Sequence, residues 1–136
     1  MNKSNKKITP SNKLTLIVED NVVNQRVTSL IVEQLGYPVT SANNGQKAVM
    51  LCEKTDYDYI LMDISMPKMD GFEAIKKIRK AEKRGSRAKI VIVTGNDIRE
   101  YRERFDKLGV DDFLTKPVDL SKLKKALDYN TKNIES

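Results

Sequence analysis

Apolar residues fall along this chain in two alternating rhythms. Compact runs, Leu14-Thr15-Leu16-Ile17-Val18, Val39-Thr40-Ser41-Ala42, Tyr59-Ile60-Leu61-Met62, Ile90-Val91-Ile92-Val93 and Phe113-Leu114, are short and rich in β-branched or aromatic residues. Such runs read as strands, and the fourth, apolar throughout, reads as a strand buried on both faces. Between them, apolar residues recur every third or fourth position. The stripes are Val23, Val27, Leu30, Ile31 and Leu35; Ala48, Leu51 and Cys52; Phe72, Ile75 and Ile78; Ile98, Tyr101, Phe105 and Leu108; and Leu120, Leu123, Ala126 and Leu127. Each stripe predicts one buried face of a helix. Gly36, Gly85-Ser86 and Gly109 close three of these helices.

Strand and helix therefore alternate five times with short connections. That order predicts an α/β fold, a doubly wound five-stranded parallel sheet with right-handed crossovers and helices on both faces. Such a sheet brings the carboxyl ends of all its strands to one edge, with a crevice where the strand order reverses.

Composition narrows the class. The 136 residues suit one domain, and 32% charged with 39% hydrophobic residues suits a globular, soluble one. No apolar run is long enough to cross a bilayer, and the start lacks a signal-peptide core. The single cysteine, Cys52, cannot close an intramolecular disulfide, so a reducing, cytoplasmic setting is the default. Residues 1–12 read as a polar tail or linker, 13–130 as the folded domain and 131–136 as a short C-terminal tail. The formal charge of +6 raises the question of nucleic acid. The bases crowd one helix and its exit (Lys76, Lys77, Arg79, Lys80, Lys83, Arg84, Arg87, Lys89), without aromatic interleaving, and read as a solvated face. No His is present, which removes histidine-based acid–base and phosphohistidine chemistry from the chain's own repertoire.

The candidate chemistry lies at the strand ends. The first strand runs into Glu19-Asp20, the third ends in Asp63, the fourth in Thr94 and the fifth in Lys116. Taken singly, each acid reads equally well as a cap or turn former. Together on one edge, three carboxylates would repel one another unless a cation intervened. Mg2+, held through one or two carboxylates with waters and phosphate oxygens, meets that need, and Lys116 adds a point charge.

Four strings, Val18-Glu19-Asp20-Asn21-Val22-Val23-Asn24-Gln25, Met62-Asp63-Ile64-Ser65-Met66-Pro67-Lys68-Met69-Asp70-Gly71, Val93-Thr94-Gly95 and Phe113-Leu114-Thr115-Lys116-Pro117, together resemble the receiver (response-regulator) domain of two-component phosphorelay signalling. The resemblance covers about residues 13–130 and is greatest to receivers of hybrid histidine kinases. It implies a flavodoxin-like fold, (βα) repeated five times, with strand order 2-1-3-4-5. Asp63 is then the phospho-acceptor. Glu19, Asp20, Asp63 and the Ser65 carbonyl hold Mg2+, with Asp20 the more direct of the acidic pair. Thr94 and Lys116 bind phosphate, and Lys116-Pro117 is a cis peptide. Phe113 fills the position of a switch aromatic that turns inward once Thr94 engages phosphate, although it reads equally as core. Ser65 and Asn96 occupy two positions that tune dephosphorylation.

The same resemblance implies a histidine kinase or histidine phosphotransfer protein as donor. A downstream protein would dock on the face made by the fourth helix, fifth strand and fifth helix, with no direct nucleic-acid or membrane partner. A receiver catalyses its own phosphorylation and slow autodephosphorylation rather than acting as an enzyme in the usual sense. Two other classes share some of these features. A small Mg2+-dependent phosphatase also uses a strand-terminal aspartate, but Asp63-Ile64-Ser65 lacks that signature's second acid. An interaction module would leave the acids idle. The chain reads as either a stand-alone receiver or a piece of a longer hybrid kinase.

Overall fold

The computed structural model describes residues 13–64, 69–83, 85–95 and 97–129. Strands β1 (Thr15–Val18), β2 (Val39–Ala42), β3 (Tyr59–Asp63), β4 (Lys89–Thr94) and β5 (Asp112–Thr115) alternate with helices α1 (Val22–Gln34), α2 (Gly45–Lys54), α3 (Met69–Ala81), α4 (Arg99–Lys107) and α5 (Leu120–Ala126). The five strands form one parallel sheet in the order β2-β1-β3-β4-β5, as the alternation predicts. The reversal of strand order lies between β1 and β3, which pair with Val18 opposite Met62. The chain therefore leaves the sheet at Glu19 and Asp63 side by side. The Lys116–Pro117 peptide is cis.

Two apolar layers sandwich the sheet. Leu16, Ile60, Met62, Ile90 and Ile92 point to one side, where α3 and α4 contribute Phe72, Ile75, Ile78 and Phe105. Ile17, Leu61, Val91 and Val93 point to the other, against Val32, Leu35, Leu123 and Leu127. This two-sided burial is why the central strands lack polar alternation. Polar residues set three helix starts: Asn21 Oδ1 accepts from Asn24 N (2.9 Å), Asn44 Oδ1 from Lys47 N (2.7 Å) and Asp119 Oδ1 from Lys122 N (2.8 Å).

Three sequence expectations change. The stripe assigned to α1 splits: Leu35 is buried and Ile31 packs against the core, but Val23 is 69%, Val27 49% and Leu30 47% exposed, and Val22 lies outside with them at 78%. The inner face runs instead through Gln25, Thr28, Ser29, Val32 and Leu35. Near the sheet edge α1 meets strand-end carbonyls, which need donors more than they need hydrocarbon. Leu120, counted in the α5 stripe, is also exposed, at 37%.

Arg79 does not belong to the solvated basic face either. Its guanidinium donates to the carbonyls of Ala88 (2.7 Å) and Gly109 (2.6 Å), and pairs with Glu82 (2.9 Å) and Asp111 (2.8 Å). Gly109, at φ +89°, admits that approach, since a Cβ there would stand 3.1 Å from Arg79 Nε.

Candidate functional site

Glu19 follows the last residue of β1 and is 4% exposed. Its backbone amide donates to the carbonyl of Ala42 at the end of β2 (2.9 Å), and its own carbonyl accepts from the Gln25 side-chain amide (3.1 Å). The Asn21 amide donates to Glu19 Oε2 (2.9 Å), which fixes one carboxylate oxygen. Asp20 is exposed at the lip. Asp63 ends β3 with its side chain 10% exposed, and Lys116 Nζ stands 2.8 Å from Asp63 Oδ1. Thr94, ending β4, is 1% exposed, and its carbonyl accepts from the Lys116 amide (3.0 Å). Phe113 in β5 is half-buried, its ring edge-on to Phe105 (5.9 Å) and under the Arg102 guanidinium (4.3 Å).

The sequence placed Glu19, Asp20, Asp63, Thr94 and Lys116 on one edge, and they stand there. Ser65 and Asn96 lie outside the described residues. Asn21 and Gln25, which hold Glu19 in place, were not singled out. Their signal was their position in the same string, one and five residues after Asp20.

The electrostatics of this edge are incomplete. Glu19 Oε1 and Asp63 Oδ1 are buried and have no hydrogen-bond donor among the described residues; the Lys116 ammonium is close to Asp63 but off the angle of a hydrogen bond. Two ionised carboxylates offer each other only acceptors, so the edge relaxes by keeping a proton. Burial pushes the Glu19 carboxyl up to about 8; the neighbouring Asp63 carboxyl adds to the rise and the Asn21 amide partly offsets it.

The sign of the resulting pH dependence follows. Without a cation, the folded chain keeps a proton on Glu19 that the unfolded chain releases near 4.5. Stability from this group is full below that value and declines as the pH rises to about 8. Glu19→Gln removes the titration and is expected to flatten that decline in urea or thermal melts of the cation-free protein. An equal slope in the variant would assign the decline elsewhere.

These residues fit a hard divalent cation. Two buried carboxylate oxygens lack donors, and a third acid stands at the lip. Among the described residues no three acidic, histidine or cysteine side chains form a ready cage. Mg2+ does not require one, because it keeps several waters and takes only one or two carboxylates.

A family model for the response regulator receiver domain matches residues 15–128. The chain belongs to the response regulator receiver domain family. This receiver is 34% identical to Probable histidine kinase 1 of Oryza sativa subsp. indica, the match covering 93% of this chain and 16% of that protein. The chain thus spans about a sixth of that relative's length. Among solved structures, the receiver domain of a sensor histidine kinase from Pseudomonas aeruginosa, with a magnesium ion coordinated in its active site cleft, is 38% identical with a TM-score of 0.74, covering 87% of this receiver and 96% of that chain. A chain in the co-crystal structure of a Saccharomyces cerevisiae histidine phosphotransfer signaling protein and the receiver domain of its downstream response regulator is 34% identical, with a TM-score of 0.74 and 89% of each chain covered. The receiver is a module of phosphorelay signalling, and no helix among its described residues is long and apolar enough to cross a membrane.

Proposed function

We propose that this receiver takes a phosphoryl group from a phosphohistidine onto Asp63, with Mg2+ at the acidic edge, and passes the change on through the face of α4, β5 and α5. The observation that carries the assignment is the Asp63 carboxylate at the end of β3, 2.8 Å from the Lys116 ammonium and with Oδ1 otherwise without a donor. An Asp63 oxygen attacks phosphorus in line as the P–N bond of the donor breaks. The imidazole nitrogen keeps the bonding pair, and no proton need leave Asp63 first. Glu19, Asp20, Asp63 and the Ser65 carbonyl would hold Mg2+, which when bound neutralises charge on the phosphoryl oxygens. Lys116 moves from the carboxylate to a phosphoryl oxygen. Thr94, buried beside that position, offers its hydroxyl, and Phe113 repacks between Arg102 and Phe105.

The donor is a histidine kinase or a histidine phosphotransfer protein, since this chain has no histidine. The outward stripe Val22, Val23, Val27 and Leu30 supports where it docks. It begins two residues after Asp20, so a helix of the donor packed on it would bring an imidazole to the edge.

Incubation with acetyl phosphate and Mg2+ tests the reading. A single hydroxylamine-labile phosphoryl adduct, mapped by mass spectrometry to Asp63, is expected. No adduct, or one on another residue, would overturn it. Steady turnover of a phosphate ester would favour a phosphatase instead.

A further inference from the structure

Gln25 is polar, yet it sits on the inner face of α1, while the apolar residues of that half of the helix face out. Its side chain has a specific use there. Gln25 Nε2 donates to two carbonyls at once, Glu19 O at 3.1 Å and Ala42 O at 3.4 Å. Both acceptors are backbone oxygens, so the amide can only be oriented with its nitrogen toward them. Ala42 O already receives the Glu19 amide at 2.9 Å. Gln25 therefore closes a clamp over the point where β1 and β2 end, and the clamp is built on Glu19's own peptide groups. The helix bearing it is anchored to the same turn, because Gln25 N donates to Asn21 O (2.9 Å) and Asn21 N to Glu19 Oε2 (2.9 Å).

We propose that Gln25 is a positioning residue for the acidic edge. By tying the Glu19 carbonyl to the end of β2, it keeps the Glu19 carboxylate in register with Asp63, and so sets how well the edge accepts a divalent cation. The residue touches neither phosphate nor cation. Its effect passes through the backbone of Glu19, whose side chain has, among the described residues, one oxygen held by a donor, the Asn21 amide. Loss of the clamp frees the peptide between Glu19 and Asp20 to rotate about a Glu19 amide still held by Ala42 O, and the free carboxylate oxygen loses a backbone restraint with it.

The inference rests on the reading of this edge as a Mg2+ and phosphoryl site, and the test separates the two. Gln25→Met keeps the length and bulk of the side chain and removes both donors. Amide chemical shifts followed during a MgCl2 titration are expected to give an affinity about tenfold weaker than wild type, the lower end of the scale on which partners behind a metal ligand act. In the cation-free protein, hydrogen exchange at the Glu19 and Asn21 amides is expected to quicken by roughly tenfold, a loss of local protection, while amides of α5 keep theirs. Arg79→Ala, at the opposite edge of the sheet, provides the control for a purely structural effect. It lowers global stability and is expected to leave the Mg2+ affinity of the folded protein unchanged. Wild-type affinity and exchange in Gln25→Met would overturn the role of Gln25. So would an equal loss of affinity in Arg79→Ala. Failure of the wild-type protein to bind Mg2+ at all would overturn the reading of the edge itself.

Discussion

Lys116→Ala is expected to slow phosphoryl uptake from acetyl phosphate by roughly two to three orders of magnitude, the cost of removing one preorganised charge partner from a transition state. The ammonium stands 2.8 Å from Asp63 Oδ1, with its side chain 29% exposed. It is thus near enough to follow charge from the carboxylate to the transferring oxygens. Its backbone is also pinned, the amide donating to Thr94 O at 3.0 Å, so truncating the side chain leaves β5 in place. The rate is the larger readout. Asp63 is nearly buried, so losing the ammonium also leaves its carboxylate without its cationic neighbour, and a modest loss of stability is expected beside the loss of rate. Single-turnover labelling followed by mass spectrometry reads the rate, and urea unfolding reads the stability. Lys116→Arg should recover little, because a planar fork cannot replace a compact charge at the end of a flexible stem. A variant that labels within a factor of three of wild type would refute the role assigned to Lys116.

The largest loss of stability is expected at Arg79, where alanine should cost about 3 kcal/mol, the scale of breaking a buried, hydrogen-bonded ion pair. Its side chain is 14% exposed and joins three segments: the end of α3 through Glu82, the approach to β4 through Ala88 O, and the turn into β5 through Gly109 O and Asp111. The two acids have further duties. Glu82 Oε2 accepts the Ala88 amide (2.7 Å) and Asp111 Oδ2 the Ile90 amide (2.9 Å). Without Arg79, both carboxylates and both carbonyls lose a charged donor in a half-buried site. Urea titration should show a lower midpoint at unchanged m. Arg79→Lys should restore less than half of the loss, since one ammonium cannot reach all four acceptors. An Arg79→Ala protein as stable as wild type would show the network to be redundant.

These two residues mark the limits of reading the chain alone. Lys116 was legible because it ends a strand in a parallel sheet, and topology sends all such ends to one edge. The same reasoning found Glu19, Asp63 and Thr94. Arg79 was not legible: in sequence it is one more base among Lys76, Lys77 and Lys80, and only tertiary packing places carbonyls around it. The strands and the five-fold alternation followed from periodicity, since two-sided burial leaves so little polar residue in β4. The inner face of α1's first two turns did not follow. Val23, Val27 and Leu30 continue the stripe of Ile31 and Leu35, but hydropathy cannot register that the carbonyl of Glu19, at the neighbouring strand end, needs a donor from the helix. The energetic state of the edge was half legible. Mutual repulsion among acids was foreseen; the proton held on Glu19 depends on its burial, which only the fold supplies.

The strand order has a consequence for folding kinetics. β1 lies between β2 and β3, and β3 carries the sheet on to β4 and β5, so no two adjacent strands are joined by a tight turn. Each pairing must close a long loop before it gains contacts, which makes a topology of this kind comparatively slow to form. The groups at the edge come from β1, β3, β4 and β5 and share no local segment. They become neighbours only when the register of the whole sheet is set. A ligand that bridges them grips the ends of four strands together, so it acts on global opening of the domain rather than on the fraying of one loop. Occupancy of this small edge is thereby linked to the lifetime of the entire native state.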